Sequence, residues 1–372
     1  MNEADTSLTP KRTVGERRPF ASIIIPVHTP HRPIERAVAS ILEDNRSPLE
    51  VIVVAHNTAA EGIQNRLGHW CDDARLAILE LRDGISSPAG PMNYGIERSE
   101  GDFLSFMGSD DALAPGAVDA WLTIQHETSA AVIIAPMRTE QGRMIPTPPV
   151  RLLRTRGLRL DRDRLAYRSA PLGLVSREHF GRLRFTPGLR SGEDVNFTLR
   201  LWGSRGMIVF PRSAPAYIVH DDAGDRVTYA PRQISEDFEF LNAVLEDPVI
   251  AGLGLADRRA IAVKLIRAHL FDAVRNREQH PWSREQRREL AEVATRLLAW
   301  MPAVRHFFSL RERALLDVVL EPSRSDEELN RLSRQRRRYY TPPAVLTRNP
   351  FFILHRQSPL RFGLATILLS LR

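Results

Sequence analysis

A single cysteine, Cys71, stands in 372 residues. No intramolecular disulfide can form, and neither a CxxC pair nor Cys/His zinc spacing is available, which fits a reducing cytosol. Lysine is nearly as scarce: of 52 basic residues only Lys11 and Lys264 are lysines. No apolar run approaches the ~18 residues that a transmembrane helix needs. The opening residues are polar and charged, and the apolar run from Phe20 to Val27 is too short for a secretory segment, so no signal peptide is expected. Also missing are GxxxxGK, GxGxxG after the first strand, HExxH and GxSxG. Their absence argues against P-loop, dinucleotide, zinc-protease and serine-hydrolase chemistry.

What is present is ordinary globular composition, 43% hydrophobic and 26% charged. The net charge is +7. Residues 323–372 hold ten arginines against three acids, so this segment supplies the whole excess. A local basic patch suits anionic lipid headgroups, nucleic acid or an acidic partner. No nucleic-acid module is recognisable, and no aromatics interleave the basic stretch beyond Tyr339 and Tyr340, so no nucleic-acid partner is expected.

Residues 1–19 read as a disordered lead-in. From 20 onward short β-branched runs alternate with helical-period segments. The strand candidates are Ser22 to Val27, Val51 to Val54, Leu76 to Leu81, Phe103 to Met107 and Ala131 to Ala135, with Pro33 to Leu42 and Pro115 to Gln125 as helices between them. That alternation predicts an α/β fold with a mostly parallel sheet, whose ligands bind beyond the carboxyl ends of the strands. Residues 20–232 are taken as this domain. Its irregular second half holds a helix over Glu193 to Trp202 and apolar runs at Met207 to Phe210 and Ala216 to Val219. Residues 233–322 read as a helical region, with Ser283 to Gln286 as a capping box opening a helix to Trp300. Ala260 to Val274 and Val304 to Leu320 share the helical period, and 323–372 form a basic and apolar tail.

Three features carry chemistry. Phe103-Leu104-Ser105-Phe106-Met107 runs into Gly108-Ser109-Asp110-Asp111, placing two carboxylates where a hydrophobic strand ends. Such carboxylates can hold a hard cation that neutralises a diphosphate, or can simply cap the next helix. Gly192-Glu193-Asp194 puts two acids at a helix start, which the helix dipole also favours without any function. Tyr217-Ile218-Val219-His220 closes an apolar strand with a histidine, beside Asp221, Asp222 and Asp225, which read as a solvated turn.

In this order and spacing, SIIIPVH, VIVV, FLSFMGSDDAL, GEDVNFTLRLW, YIVH and a downstream Thr228 resemble the family-two glycosyltransferases of the GT-A fold, over about residues 20–230. The resemblance implies a GT-A domain that takes a nucleotide-sugar donor, with Pro26, Val27 and His28 over the nucleotide. It implies that Ser109, Asp110 and Asp111 face the donor, and that Asp110 holds a divalent cation, Mn²⁺ or Mg²⁺, with His220 facing the metal and diphosphate. Asn93, in Asn93-Tyr94-Gly95-Ile96, matches an asparagine-glycine element of the family. The Glu-Asp pair matches Glu193 and Asp194, with the catalytic base on Asp194. Two departures stand out. Gly108 replaces the first motif aspartate, and Ala55-His56-Asn57 replaces an acidic pair, leaving His56 and Asn57 as the polar contacts to the base.

The implied reaction is inverting transfer of a sugar to a glycan or lipid-linked acceptor hydroxyl. A non-catalytic GT-A scaffold that binds a sugar or a protein partner is the alternative. The expected location is cytoplasmic, with peripheral contact at the inner face of the plasma membrane through Phe351 to Leu354 and Phe362 to Leu371, flanked by Arg348, Arg356, Arg361 and Arg372. Docking of that tail on the helical region or on a second subunit is the simpler reading. The apolar helical faces also permit a homo-oligomer.

Overall fold

The computed structural model describes residues 19–151, 153–222, 233–339 and 341–370. All but the end of the 1–19 lead-in, and Thr228 and Asp225, lie outside the described residues. The first unit is β1 (Ala21–Val27), α1 (Ile34–Leu42), β2 (Leu49–His56), α2 (Ala60–Leu67), β3 (Leu76–Leu81), α3 (Ala89–Arg98) and β4 (Phe103–Phe106). β5 (Ala112–Leu113), α4 (Ala117–Thr128), β6 (Val132–Ile134), β7 (Met137–Thr139), β8 (Met144–Ile145), β9 (Gly173–Ser176), α5 (Arg177–Phe180), α6 (Glu193–Gly203), β10 (Ile208–Val209) and β11 (Tyr217–Val219) follow.

These strands build a seven-stranded sheet in the order β10-β6-β9-β4-β1-β2-β3 and a four-stranded sheet in the order β5-β11-β7-β8. In the larger sheet β1, β2, β3 and β4 pair in parallel, and β9 runs antiparallel to both β4 and β6. The sequence Ala21-Ser22-Ile23-Ile24-Ile25 is buried throughout, as expected of a central parallel strand covered on both faces. The order reverses around β1: β2 lies on one side and β4 on the other. Ligands of doubly wound sheets bind at such a switch point. β4 stops at Phe106, opposite Ile24, whereas β1 continues to Val27 beside β2. The end of β1 is therefore open on the β4 side.

The later chain is helical: α7 (Ile234–Asp237), α8 (Phe240–Leu245), α9 (Pro248–Ala251), α10 (Leu255–Leu265), a π turn over Ile266–Leu270, and α11 (Phe271–Asn276). α12 (Arg284–Trp300), α13 (Leu310–Val319), α14 (Asp326–Arg336), α15 (Pro342–Val345) and α16 (Pro359–Ser370) complete it. The capping box at Ser283 and Gln286 forms with both hydrogen bonds. Two long helices expected from the pattern are broken. Ala260 to Val274 contains the π turn, and Val304 to Leu320 splits where Ser309 and Glu312 make a second capping box.

One hydrophobic core runs from Ile24 and Phe106 of the sheet through Phe240, Ile261 and Phe271 to Leu369. The helical region is thus fused to the sheet rather than tethered to it. The tail docks as well. Arg164 donates to the carbonyls of Arg356 (3.0 Å) and Arg361 (3.2 Å), Arg267 donates to that of Gln357 (2.7 Å), and the Tyr167 and Phe362 rings lie 4.7 Å apart. Phe351 and Leu354 stay outside, 92% and 70% exposed.

Candidate active site

A cleft of about 930 Å³ opens at the carboxyl ends of β1, β2 and β4, where the switch point predicts a ligand. Pro26, Val27, His28, His56, Asn57, Ser109, Asp110 and Asp111 all line it. So do Arg32, Arg82, Gly84 and Ser86 to Pro88, with Pro91 and Met92 from α3 as an apolar wall.

The motif after β4 does not cap the next helix. α4 starts at Gly116, with a left-handed backbone and no side-chain cap. Asp110 is 9% exposed, and its Oδ2 lies 2.6 Å from Nη1 of Arg32, itself 8% exposed. Arg36 donates to the Asp110 carbonyl and forks onto Asp222 at 2.7 and 3.0 Å. That fork, chiefly by hydrogen bonding, pulls the Asp222 carboxyl down to about 2. The neighbouring Asp111 has a different task. Its Oδ2 accepts from the Tyr217 hydroxyl at 2.6 Å and its Oδ1 from the His220 amide at 3.0 Å. Tyr217 in turn accepts from the Gly108 amide at 3.0 Å. This ties the small sheet to the end of β4. A Cβ at position 108 would stand 3.0 Å from both Asp110 Oδ1 and Asp111 Oδ2, so the glycine lets the two carboxylates close over it.

At the far side His56, 5% exposed, and Asn57 meet a carboxylate that the sequence pattern did not disclose. Asp83 Oδ1 lies 2.8 Å from His56 Nε2 and accepts from Asn57 Nδ2 at 3.2 Å. Asn57 also receives the Gly84 amide at 3.0 Å and donates to the Ile85 carbonyl at 3.1 Å. Burial works to raise the Asp83 carboxyl, but the Ile85 amide and the two side chains outweigh it and hold it below its ordinary value. An acid at this edge therefore comes from the loop after β3.

Asn93 requires a correction. It does not line the cleft; its amide donates to the Phe185 carbonyl and accepts from the Phe185 amide, both at 2.9 Å. That double bond fixes α3, a cleft wall, to the segment leading into α6. Phe185 stacks on Phe197 of α6 at 4.4 Å, and Phe106 meets both rings edge-on at 5.1 and 5.8 Å. The aromatic cluster sets β4, the strand that leads into Asp110, against the helix that carries Asp194. Arg177, near that helix in sequence, donates to the Gly101 carbonyl at 2.5 Å and to Ser99 at 2.7 Å, which makes it a brace.

Glu193 and Asp194 occupy the first turn of α6, behind Gly192, which caps it in a left-handed conformation. A Cβ on Gly192 would lie 2.7 Å from the Phe240 ring, so α6 begins hard against the helical region. Neither acid lines the cleft. Burial lifts the Asp194 carboxyl to about 6, with Lys264 pulling in the opposite direction.

The sequence model of Glycosyl transferase family 2 matches residues 22–184, the span that builds this cleft. Residues 22–184 are a glycosyl transferase family 2 domain. The chain is similar to the poly(ribitol-phosphate) β-N-acetylglucosaminyltransferase TarS of Staphylococcus aureus, 21% identical over 257 residues, covering 67% of this chain. It spans only 44% of the length of that relative. It is also similar to a GalNAc(5)-diNAcBac-PP-undecaprenol β-1,3-glucosyltransferase of Campylobacter jejuni, 27% identical over 114 residues, 31% of this chain and 37% of that one. The crystal structure of S. aureus TarS 1–349 in complex with UDP-GlcNAc superposes with a TM-score of 0.70 at 18% identity, covering 86% of this chain and 93% of that one. The fold is therefore GT-A.

His220 lies beyond the matched span. Its amide donates to Asp111 Oδ1, and its Nδ1 lies 3.6 Å from Glu140 Oε2. Among the described residues no three His, Cys, Asp or Glu side chains converge as a metal cage. What the cleft wall offers is two carboxylates, Asp110 and Asp111. That fits a cation carried in by a diphosphate, since Mg²⁺ is commonly held by one or two carboxylates plus phosphate oxygens.

Proposed function

We propose that this chain is an inverting glycosyltransferase that moves a sugar from a nucleoside-diphosphate sugar to a hydroxyl of a glycan or lipid-linked acceptor. The observation that carries the reading is a family 2 sheet whose switch-point cleft has a strand-end carboxylate, Asp110, on its wall. TarS, whose structure holds UDP-GlcNAc, shares the fold and supports a nucleotide-sugar donor.

In this reading the nucleotide lies against Pro26, Val27 and His28, and its base meets His56 and Asn57, which Asp83 holds in place. Asp194 takes the proton of the attacking hydroxyl. A base near 6 is ionised at neutral pH yet still strong enough to accept a proton in the transition state. Attack from the face opposite the leaving diphosphate inverts the anomeric centre. Asp110 would hold Mn²⁺ or Mg²⁺, which would supply charge neutralisation of the leaving diphosphate. His220 serves the same end of the cleft by fixing Asp111 through its amide.

The Arg32–Asp110 pair favours a second reading of the diphosphate site. A guanidinium already on the cleft wall can receive the phosphate oxygens itself, with Asp110 holding it in place. Calorimetric titration with nucleoside diphosphates separates the two. Binding that needs Mn²⁺ supports the metal reading, and equal binding in a chelator supports Arg32. No binding by any nucleotide from folded protein overturns the donor site and leaves the non-catalytic scaffold.

The proposed setting is the inner face of the plasma membrane. No helix among the described residues is long and apolar enough to cross a membrane. The contact would be peripheral, through exposed Phe351 and Leu354 beside Arg348 and Arg356. Co-sedimentation with anionic vesicles tests it, and a protein that stays in the supernatant removes it.

A further inference from the structure

The turn that presents Asp110 has little main chain to hold it. The pairing of β4 with β1 stops at Phe106, and the Met107 amide makes a last bond to the Ile24 carbonyl at 3.0 Å. Within Gly108–Asp111 the bond from the Asp111 amide to the Gly108 carbonyl is 3.4 Å long. A side chain from the other sheet does the holding. Tyr217, on β11, is 2% exposed and stands in register with Leu113 of β5 and Met137 of β7. Its hydroxyl accepts from the Gly108 amide at 3.0 Å and donates to Asp111 Oδ2 at 2.6 Å. One oxygen thus joins the first and last residues of the turn, with Asp110 between them. Asp111 Oδ1 accepts the His220 amide at 3.0 Å, so β11 holds that carboxylate at both of its ends. Burial, with the Asp111 charge beside it, keeps the phenol well above its ordinary value, and the hydroxyl therefore stays a donor. The ring sits in the core with Met107, Leu113 and Trp121 and does not line the cleft. Arg32 and Arg36 meet Asp110 itself; Tyr217 fixes what flanks it.

We propose that Tyr217 is a positioning residue for the donor site: by pinning Gly108 to Asp111 it sets Asp110 on the cleft wall. This rests on the reading of the cleft as a nucleoside-diphosphate site, whether Asp110 meets a cation there or holds Arg32. Glycine at 108 belongs to the same device. A Cβ there would stand 3.0 Å from Asp110 Oδ1 and Asp111 Oδ2 and 3.5 Å from the phenol oxygen. The missing first aspartate of the motif is therefore a condition of the closed turn.

Tyr217→Phe keeps the ring in the core and removes only the hydroxyl. Calorimetric titration of the full chain with UDP, GDP, ADP and CDP in Mn²⁺ picks the tightest binder as the probe. Tyr217→Phe should weaken that binding about tenfold, but less than about twofold when Asp110→Asn is already present, because residues acting through one network do not add. A similar loss in both backgrounds overturns the positioning role, and so does no loss in the parent background. Amide hydrogen exchange reads the pin without any ligand. The Gly108 amide should exchange slowly in the parent and at least about tenfold faster in Tyr217→Phe, with the strand amides of Ile24 and Val53 unchanged. An unchanged Gly108 amide overturns the pin. If Tyr217→Phe does not fold, exchange of Gly108 in the parent at the rate of an open amide overturns it instead. If Asp110→Asn binds too weakly to titrate, the affinity loss in the parent background and the Gly108 exchange decide together. A parent that binds none of these nucleotides overturns the donor reading and the positioning role with it, while the exchange result still decides the pin.

Discussion

The two acidic ends of this molecule are built in opposite ways. In the cleft each carboxylate is met by a donor at hydrogen-bonding distance: Asp110 by Arg32, Asp111 by Tyr217 and the His220 amide, Asp83 by Asn57 and the Ile85 amide. At the head of α6, burial lifts the Asp194 carboxyl to about 6 against the pull of Lys264. The first arrangement fixes charge and suits binding. The second leaves a carboxyl near 6, able to gain and lose a proton.

The sharpest way to break this contrast is Asp194→Asn. Transfer should fall by about 10²–10⁴-fold, the range for a general base, while calorimetry finds nucleotide affinity within about twofold of the parent. Near-normal turnover would remove Asp194 from the role. In the parent enzyme the transfer rate should drop about tenfold per pH unit below about 6, as the base is protonated.

Cutting the link between the two ends comes next. Asn93→Ala removes both bonds to Phe185, and each buried bond left unmade costs about 1–3 kcal/mol. A lower unfolding midpoint, and a greater loss of transfer than of nucleotide binding, are expected by denaturation and kinetics. Equal losses would mean that Asn93 serves stability alone.

A smaller effect sharpens the cost of the poised end. Asp194 is raised from 3.8 to about 6, so the stability it contributes is full below 3.8 and lost as pH rises through 6. Lys264 is lowered from 10.5 to about 8, so its contribution is full above 10.5 and lost as pH falls through 8. Between 6 and 8 both penalties apply. The double variant Asp194→Asn/Lys264→Met should therefore be more stable than the parent at pH 7, by about 1 kcal/mol in urea unfolding. A less stable double variant would show that the pair holds the fold together. The smallest effect expected is from Phe351→Ser, which should leave the unfolding midpoint unchanged and reduce only vesicle co-sedimentation.

Much of the cleft was legible because its parts are local. A β-branched run ending in a carboxylate announces both a strand and its mouth, and β1, β3 and β4 start or stop within a residue of their apolar limits. Asp83 was hidden because it meets Asn57 only when β2 and β3 pair side by side. Arg32 looked like one arginine among many until the turn after β1 folded it onto Asp110. Asn93 was read as a donor contact, but its partner is a backbone group 92 residues away. β9 escaped because four residues inserted antiparallel between β4 and β6 carry no helix–strand rhythm of their own.

The π turn has a consequence for how this chain can change length. Residues five apart on a regular α-helix point about 140° away from each other. Lys264 and His269 are five apart and touch because the wider turn brings them onto one side. Removing Arg267 or Ala268 would yield a more regular helix and leave that pair four apart, still on one face. The segment can lose a residue and keep that contact, but α11 beyond it would turn by about 100° and lose its register with α14.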